Sequence, residues 1–269
     1  MDKSSPILLF DSGVGGLTVY DALRKILPDA SVIYAADFSG LPYGTKTEAQ
    51  VAARVAGLLG RMSERFRPRL ACIACNTAST IALGTVREVL AIPIVGTVPA
   101  IKPAALATQT GAIGLLGTQA TIRQLYVDEL EREFAAGKSL VRHAAPALVD
   151  EAEAKLRGRP VDRAVLAEAL RGVSEAGGVR VDQVVLGCTH FPLLRDELAD
   201  VARHELGMAA PPAFLDGAAG IARRIAHLLE GQVIAPGLPS RFVVTGPPSA
   251  ALGLEAALAA RGLTGPERF

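Results

Sequence analysis

Tryptophan is absent from this 269-residue chain, and aromatic residues make up only 4% of it. So few rings leave little platform for stacking nucleic-acid bases. An excess of either charge is missing too: 28 Lys and Arg stand against 27 Asp and Glu, a net charge of +1. That balance asks for neither nucleic acid nor an anionic membrane as a partner. No uncharged apolar run reaches the roughly 18 residues of a membrane span. Asp2 and Asp11 flank the first apolar segment, so no signal peptide is read there. The three cysteines cannot all pair within one chain, and reduced thiols in a cytoplasmic setting are the expectation. Half the residues are hydrophobic, enough to exclude disorder and to build one large domain or two smaller ones.

What is present is organised around residues 70–80, Leu-Ala-Cys-Ile-Ala-Cys-Asn-Thr-Ala-Ser-Thr. Its first half is a short apolar run suited to a buried strand, and its small polar second half suits the cap of a helix over Ile81–Leu90. Cys75 falls where strand gives way to helix. In an open α/β sheet, ligands gather at the carboxyl ends of the strands. A thiol there meets free backbone N–H groups and the positive end of a helix dipole, both of which favour the thiolate. Val184–Pro192 repeats the pattern: apolar strand, Cys188 at its tip, Thr189 and His190, then a helix opening at Pro192.

The rest of the chain alternates strand and helix, which predicts mostly parallel sheets. Strands are expected at Ile7–Phe10, Val32–Ala36, Pro93–Val95, Leu140–Ala144, Ala213–Leu215 and Phe242–Thr245, with one more opening the run Ala112–Thr121, where a small polar turn follows it. Helices are expected near Leu17–Leu27, Thr47–Arg65, Ile122–Phe134, Val161–Glu175 and Pro192–Glu205, with others around Glu151 and Glu153, from after Asp216-Gly217 to Glu230, and at the end. Domain crossings are placed at Gly96–Pro103 and at the Pro- and Ala-rich Met208–Pro212. Each half opens with strand, small polar turn and helix, and later carries a Cys-tipped strand. The fold class expected is therefore α/β, with two similar open, mostly parallel-sheet domains related by pseudo-symmetry and an active site in the cleft between them.

Each motif also has a plainer explanation. Taken alone, Cys75 fits a buried inert thiol, and Cys72, inside the apolar run, fits one better. Cys72 and Cys75 form a C-x-x-C spacing, but residues three apart on a strand point to opposite faces. That argues against a disulfide, and against zinc shared with Cys188 and His190. The run Asp11-Ser12-Gly13-Val14-Gly15-Gly16, with Asp37 ending the second strand, invites a dinucleotide. The glycine spacing fails, since Thr18 stands where the third glycine belongs. Asp11 is otherwise a turn former or a group that steers a thiol or binds an ammonium. His190 is either a satisfied residue at a helix start or a proton carrier beside Cys188. Glu153 alone reads as a solvated carboxylate, and Tyr43 as packing.

Five segments together resemble the cofactor-independent amino-acid racemases of the aspartate/glutamate family. They are residues 11–18 (Asp-Ser-Gly-Val-Gly-Gly-Leu-Thr), 42–46 (Pro-Tyr-Gly-Thr-Lys), 74–79 (Ala-Cys-Asn-Thr-Ala-Ser), 96–100 (Gly-Thr-Val-Pro-Ala) and 187–193 (Gly-Cys-Thr-His-Phe-Pro-Leu). His190 after the second cysteine, where aspartate-specific members usually carry an acid, favours glutamate. The resemblance implies an isomerase that interconverts L- and D-glutamate by a two-base mechanism, with no cofactor and no metal, and supplies D-glutamate for peptidoglycan. It implies that Cys75 acts on D-glutamate and Cys188 on L-glutamate, with Asp11, His190 and Glu153 managing their protons. Ser12, Asn76, Thr77 and Thr189 would hold the substrate, and Pro42, Tyr43 and Gly44 would line the cleft. Thr118 and Thr121 match a turn near the substrate, and Glu151 competes with Glu153 for its role. The family fold further implies that residues 1–97 and 210–269 form one domain and 98–209 the other, in a chain that is often a homodimer. Other readings left open are racemisation or decarboxylation of a related acid, such as aspartate or an arylmalonate, and a binding protein without chemistry.

Overall fold

A computed structural model describes residues 2–236 and 238–269. The elements begin with β1 (Ile7–Asp11), α1 (Leu17–Ile26), β2 (Val32–Ala36), α2 (Glu48–Phe66), β3 (Leu70–Ile73), α3 (Asn76–Val89) and β4 (Ile94–Gly96). They continue with α4 (Ile101–Ala107), β5 (Ala112–Gly117), α5 (Gln119–Ile122), α6 (Leu125–Phe134), β6 (Ser139–Ala144), α7 (Ala147–Leu156) and α8 (Arg163–Arg171). Then come β7 (Glu175–Ala176), β8 (Val179–Arg180), β9 (Gln183–Leu186), α9 (Arg195–His204), β10 (Ala213–Leu215) and α10 (Ala218–Leu228). The chain closes with β11 (Ser240–Val244), α11 (Glu255–Ala259) and β12 (Leu263–Arg268). Among the described residues no helix is long and apolar enough to cross a membrane.

The contacts divide the chain into two units, Met1–Thr97 with Ala218–Phe269, and Val98–Gly217. The first holds a six-stranded sheet in the order β12-β11-β2-β1-β3-β4, every pairing parallel. The second holds a four-stranded sheet, β10-β9-β5-β6, again all parallel. Reversed, that order is β6-β5-β9-β10, the counterpart of β2-β1-β3-β4. The expected internal repeat is thus present as strand order. Strands buried on both faces need continuous apolar sequence, and Ile7–Phe10 and Val184–Leu186 supply it. In the first unit, Leu8, Phe10, Ile33, Ala71 and Ile73 pack with α2 and α3 through Val55, Leu59, Ala78 and Ala82. In the second, Leu116, Val184 and Leu186 pack with Leu148, Leu166 and Leu198, and Ile113, Leu115 and Val185 with Ile101, Val127 and Leu130.

Several elements differ from expectation. Helix α3 begins at Asn76 rather than Ile81, because Cys75 itself is the N-cap. The single helix Ile122–Phe134 is two, α5 and α6, with Thr118 capping the first. The helix expected over Val161–Glu175 ends at Arg171, and a two-stranded hairpin turns at Gly177 and Gly178, whose φ values are +56° and +83°. Phe191–Leu194 is a 3-10 turn, so α9 starts at Arg195. The final helix shrinks to α11, and β12 follows it as an edge strand. Strand β10 pairs with β9, so the chain leaves the second unit after Gly217, where the sequence had placed the return at residue 210.

One polar cluster ties three elements of the first unit together. Asp37, just past β2, has no solvent exposure and takes hydrogen bonds from Arg54 Nε (2.5 Å) and Nη2 (2.6 Å) on α2. It also accepts from Tyr43 Oη (2.6 Å) and from Thr245 Oγ1 (2.5 Å) after β11. Burial pushes its carboxyl up, but the hydrogen bonds from Arg54, Thr245 and Tyr43 outweigh that and hold it below the usual carboxylate range. A carboxylate so occupied has no oxygen to spare for a ribose. A folded-state value below the unfolded one means stability that is full above the unfolded pKa, about 3.9, and lost as pH falls through the folded one. Asp37→Asn is therefore expected to lower the unfolding free energy at pH 7, read by urea titration, by on the order of 2–3 kcal/mol. The gap to the unchanged protein should close below about pH 4. A gap that stays constant from neutrality into acid would contradict this.

Candidate active site

In the first unit, register delivers the thiol. Phe10 pairs with Ile73, and Ala74 N–H donates to Phe10 O at 2.7 Å, so the chain leaves both strands side by side. Asp11–Ser12 and Cys75 follow at once. Gly16 is required by the crowding: a Cβ there would lie 2.9 Å from Ala74 Cβ and 3.0 Å from Asp11 Oδ2. Cys75 Sγ accepts from Ala78 N–H at 3.5 Å as the cap of α3, where the helix dipole stabilises negative charge. Ser12 Oγ lies 3.4 Å from that sulfur and donates to Asp11 Oδ1 at 3.3 Å. Asp11 Oδ2 accepts from Gly16 N–H at 2.5 Å and from Tyr34 Oη at 3.0 Å. Asp11 is thus linked to the thiol through Ser12.

Around this thiol, Asn76 and Thr77 occupy the first turn of α3, each 7% exposed. Ser79 Oγ accepts Thr97 N–H at 2.8 Å, which explains part of the Gly96–Ala100 motif structurally. Pro42 precedes a 3-10 turn, Tyr43–Thr45, whose Tyr43 ring packs in the same apolar cluster as Cys75 and Ala78. Burial and the charge and hydrogen bond of Asp37 push the Tyr43 phenol far up, so it stays a donor. Cys72 is fully buried, and burial together with the Asp11 charge pushes its thiol up, which leaves it inert.

The second unit repeats the register. Leu116 pairs with Leu186, and Gly187 N–H donates to Leu116 O at 2.7 Å. Phe10, Asp11 and Ser12 therefore correspond to Leu116, Gly117 and Thr118, and Ile73, Ala74 and Cys75 to Leu186, Gly187 and Cys188. Gly187 is fixed by close approach, since a Cβ would lie 2.8 Å from Leu116 O. Thr118 Oγ1 caps α5, accepting Thr121 N–H at 3.3 Å and lying 3.0 Å from Thr121 Oγ1. Cys188 Sγ is 3.9 Å from His190 Nδ1, and His190 Nε2 is 3.2 Å from Glu153 Oε1. Thr189 is buried beside them. Burial pushes the Glu153 carboxyl up, but His190 and then Arg157 outweigh it and hold it below the usual range.

Glu151 faces elsewhere and accepts Asp162 N–H at 2.7 Å, because residues two apart on a helix point to different sides. The structure thus groups Asp11, Ser12 and Cys75 in one unit, and Glu153, Cys188 and His190 in the other. Tyr34, buried on β2, and Arg157 escaped sequence reasoning. For Arg157 the i, i+4 spacing from Glu153 was a readable signal. Among the described residues, no three His, Cys, Asp or Glu side chains converge to hold a metal ion. Each unit presents a thiol at a strand tip, 6% exposed at Cys75 and 8% at Cys188, with its own proton-carrying neighbours. Such a group can exchange a proton with a bound carbon acid. Gly187→Ala should force backbone apart beside Cys188 and cost about 1–3 kcal/mol of stability, read by thermal unfolding.

Known proteins resemble this chain. A family model described as Asp/Glu/Hydantoin racemase matches residues 15–225. The chain is similar to the glutamate racemase of Sphingopyxis alaskensis, 58% identical over 229 residues, covering 85% of this chain and 83% of the relative. It is 47% identical over 226 residues to the glutamate racemase of Salmonella typhimurium, covering 84% and 77%. Its structure is similar to that of Escherichia coli glutamate racemase in complex with L-glutamate and the activator UDP-MurNAc-ala, with a TM-score of 0.89, 40% identity and 98% of each chain covered. Family model and relatives agree: the chain belongs to the Asp/Glu/Hydantoin racemase family.

Proposed function

We propose that this protein is an isomerase that interconverts L- and D-glutamate without a cofactor, using Cys75 and Cys188 as the two acid–base groups on opposite faces of Cα. The observation that carries the reading is the register equivalence of the two thiols, each at the tip of the strand next to its unit's opening strand. Relatives and structural neighbours named glutamate racemase support the substrate. In this reading the thiolate of Cys75 removes the α-proton of D-glutamate while the Cys188 thiol protonates the other face. For L-glutamate the roles exchange. Asp11, through Ser12, serves Cys75, and His190 with Glu153 serves Cys188.

The α-proton of an amino acid is held tightly, so the carbanion needs donors already in place and water kept out. Ser12, Asn76, Thr77 and Thr189 supply donors for the α-carboxylate and partners for the amine. Thr118 lies at the register equivalent of Ser12 with Thr121 hydrogen-bonded beside it, and Pro42, Tyr43 and Gly44 line the substrate space. Enantiomers have equal free energy, so kcat/KM must be the same in both directions whatever the two half-sites differ in. The product is D-glutamate, made in the cytoplasm as a building block of peptidoglycan and so of cell shape.

Racemisation in D2O tests the reading. Solvent deuterium at Cα of the newly formed enantiomer is expected, without added metal or pyridoxal phosphate. Product that keeps its original hydrogen, or turnover that requires pyridoxal phosphate, would contradict it. Cys75→Ala and Cys188→Ala should each reduce turnover at least about 10²–10⁴-fold while circular dichroism stays unchanged. Near-full turnover in either variant would refute the pair.

A further inference from the structure

The second thiol is backed by a chain of contacts that ends in a residue with no role so far. Glu153 offers one carboxylate oxygen to His190 Nε2 at 3.2 Å. The other oxygen is ion-paired with Arg157 Nη1, one helical turn further on. The same nitrogen reaches the main-chain oxygen of Glu153 at 3.4 Å. Arg157 sits at the C-cap of α7, where Gly158 turns the chain at φ +69°. Its backbone is therefore fixed by the helix end. Side-chain exposure falls along the series, from 19% at Arg157 to 13% at Glu153 and 4% at His190. A glutamate side chain with a single partner rotates freely about its terminal torsion. With a cation on one oxygen and an imidazole on the other, its plane is held.

We propose that Arg157 is a positioning residue for Cys188: it locks the Glu153 carboxylate so that His190 Nε2–H is anchored and Nδ1 is kept facing the sulfur. An imidazole held in that tautomer turns its Nδ1 lone pair toward Cys188 Sγ, 3.9 Å away, where it takes the thiol proton when Cys188 ionises and returns it when Cys188 must donate. Nothing corresponding is needed behind Cys75, where Asp11 is already held by Gly16 and Tyr34. The competing explanation is structural: a cation at a helix carboxyl end interacts favourably with the dipole, whatever Glu153 does.

A double-mutant cycle separates the two. Arg157→Met, Glu153→Gln and the pair are compared for the rate at which iodoacetamide alkylates Cys188, with Cys75 followed in the same digests by mass spectrometry. Each single change is expected to slow Cys188 roughly ten-fold, within the range for members of one network, and to leave Cys75 unchanged. The double variant should be no slower than Glu153→Gln alone. Wild-type alkylation of Cys188 in Arg157→Met, or further slowing on the Glu153→Gln background, would overturn the proposal. Turnover, measured in parallel, should follow the same non-additive pattern. The inference rests on the racemase reading for that arm only. Absence of turnover in the unchanged protein would sink the racemase reading, while the alkylation cycle would still decide Arg157.

Discussion

Parallel pairing of β1 with β3, and of β5 with β9, is the constraint on which the rest depends. It fixes which residues leave the sheet together at the carboxyl end: Ser12 beside Cys75 and Thr118 beside Cys188 in register terms. A slip of one residue would turn every side chain of a strand to the other face and offset the two strand tips from each other. The close approaches at Gly16 and Gly187 follow from the same pairing, because the segments beyond each strand tip pass almost in contact. The reactive groups are therefore placed by the backbone ladder, and their side chains need little freedom to be useful.

Register equivalence also exposes where the two units part company. Asp11 in the first corresponds to Gly117 in the second, so the carboxylate linked to Cys75 through Ser12 has no counterpart. Thr77, two residues beyond Cys75, corresponds to His190, two beyond Cys188. In the second unit the titratable side chain nearest the thiol instead follows the cysteine, His190, and Glu153 of α7 contacts its far nitrogen. Both solutions put an acid–base group within one or two hydrogen bonds of sulfur. They differ in kind, a hydroxyl-bridged carboxylate against an imidazole, and this suits a mechanism in which the two thiols begin each turnover in opposite protonation states.

Much of this was legible in the sequence, and the exceptions have physical causes. Continuous apolar runs such as Ile7–Phe10 and Val184–Leu186 announce buried parallel strands, and the thiols at two strand tips follow from them. Asn76–Thr80 reads poorly as helix because Asn, Thr and Ser compete for the backbone, yet the Cys75 cap and tertiary packing start α3 there. Strand β12 contains Gly265 and Pro266, which propensity rejects; an edge position tolerates them. Helix α4 was hidden by Pro103, which a first turn accepts. Asp37 looked like a ribose ligand because a strand shows its end but not its neighbours. Its partners Arg54 and Thr245 come from 17 and 208 residues away.

The central claim is the proposal that Cys75 and Cys188 exchange protons with one and the same carbon atom. A crystal structure with glutamate bound tests it most directly. The account predicts Cys75 Sγ and Cys188 Sγ on opposite faces of Cα, each near the roughly 3–3.5 Å of a near-attack contact. Both sulfurs on one face, or either one too remote to touch the substrate, would contradict it.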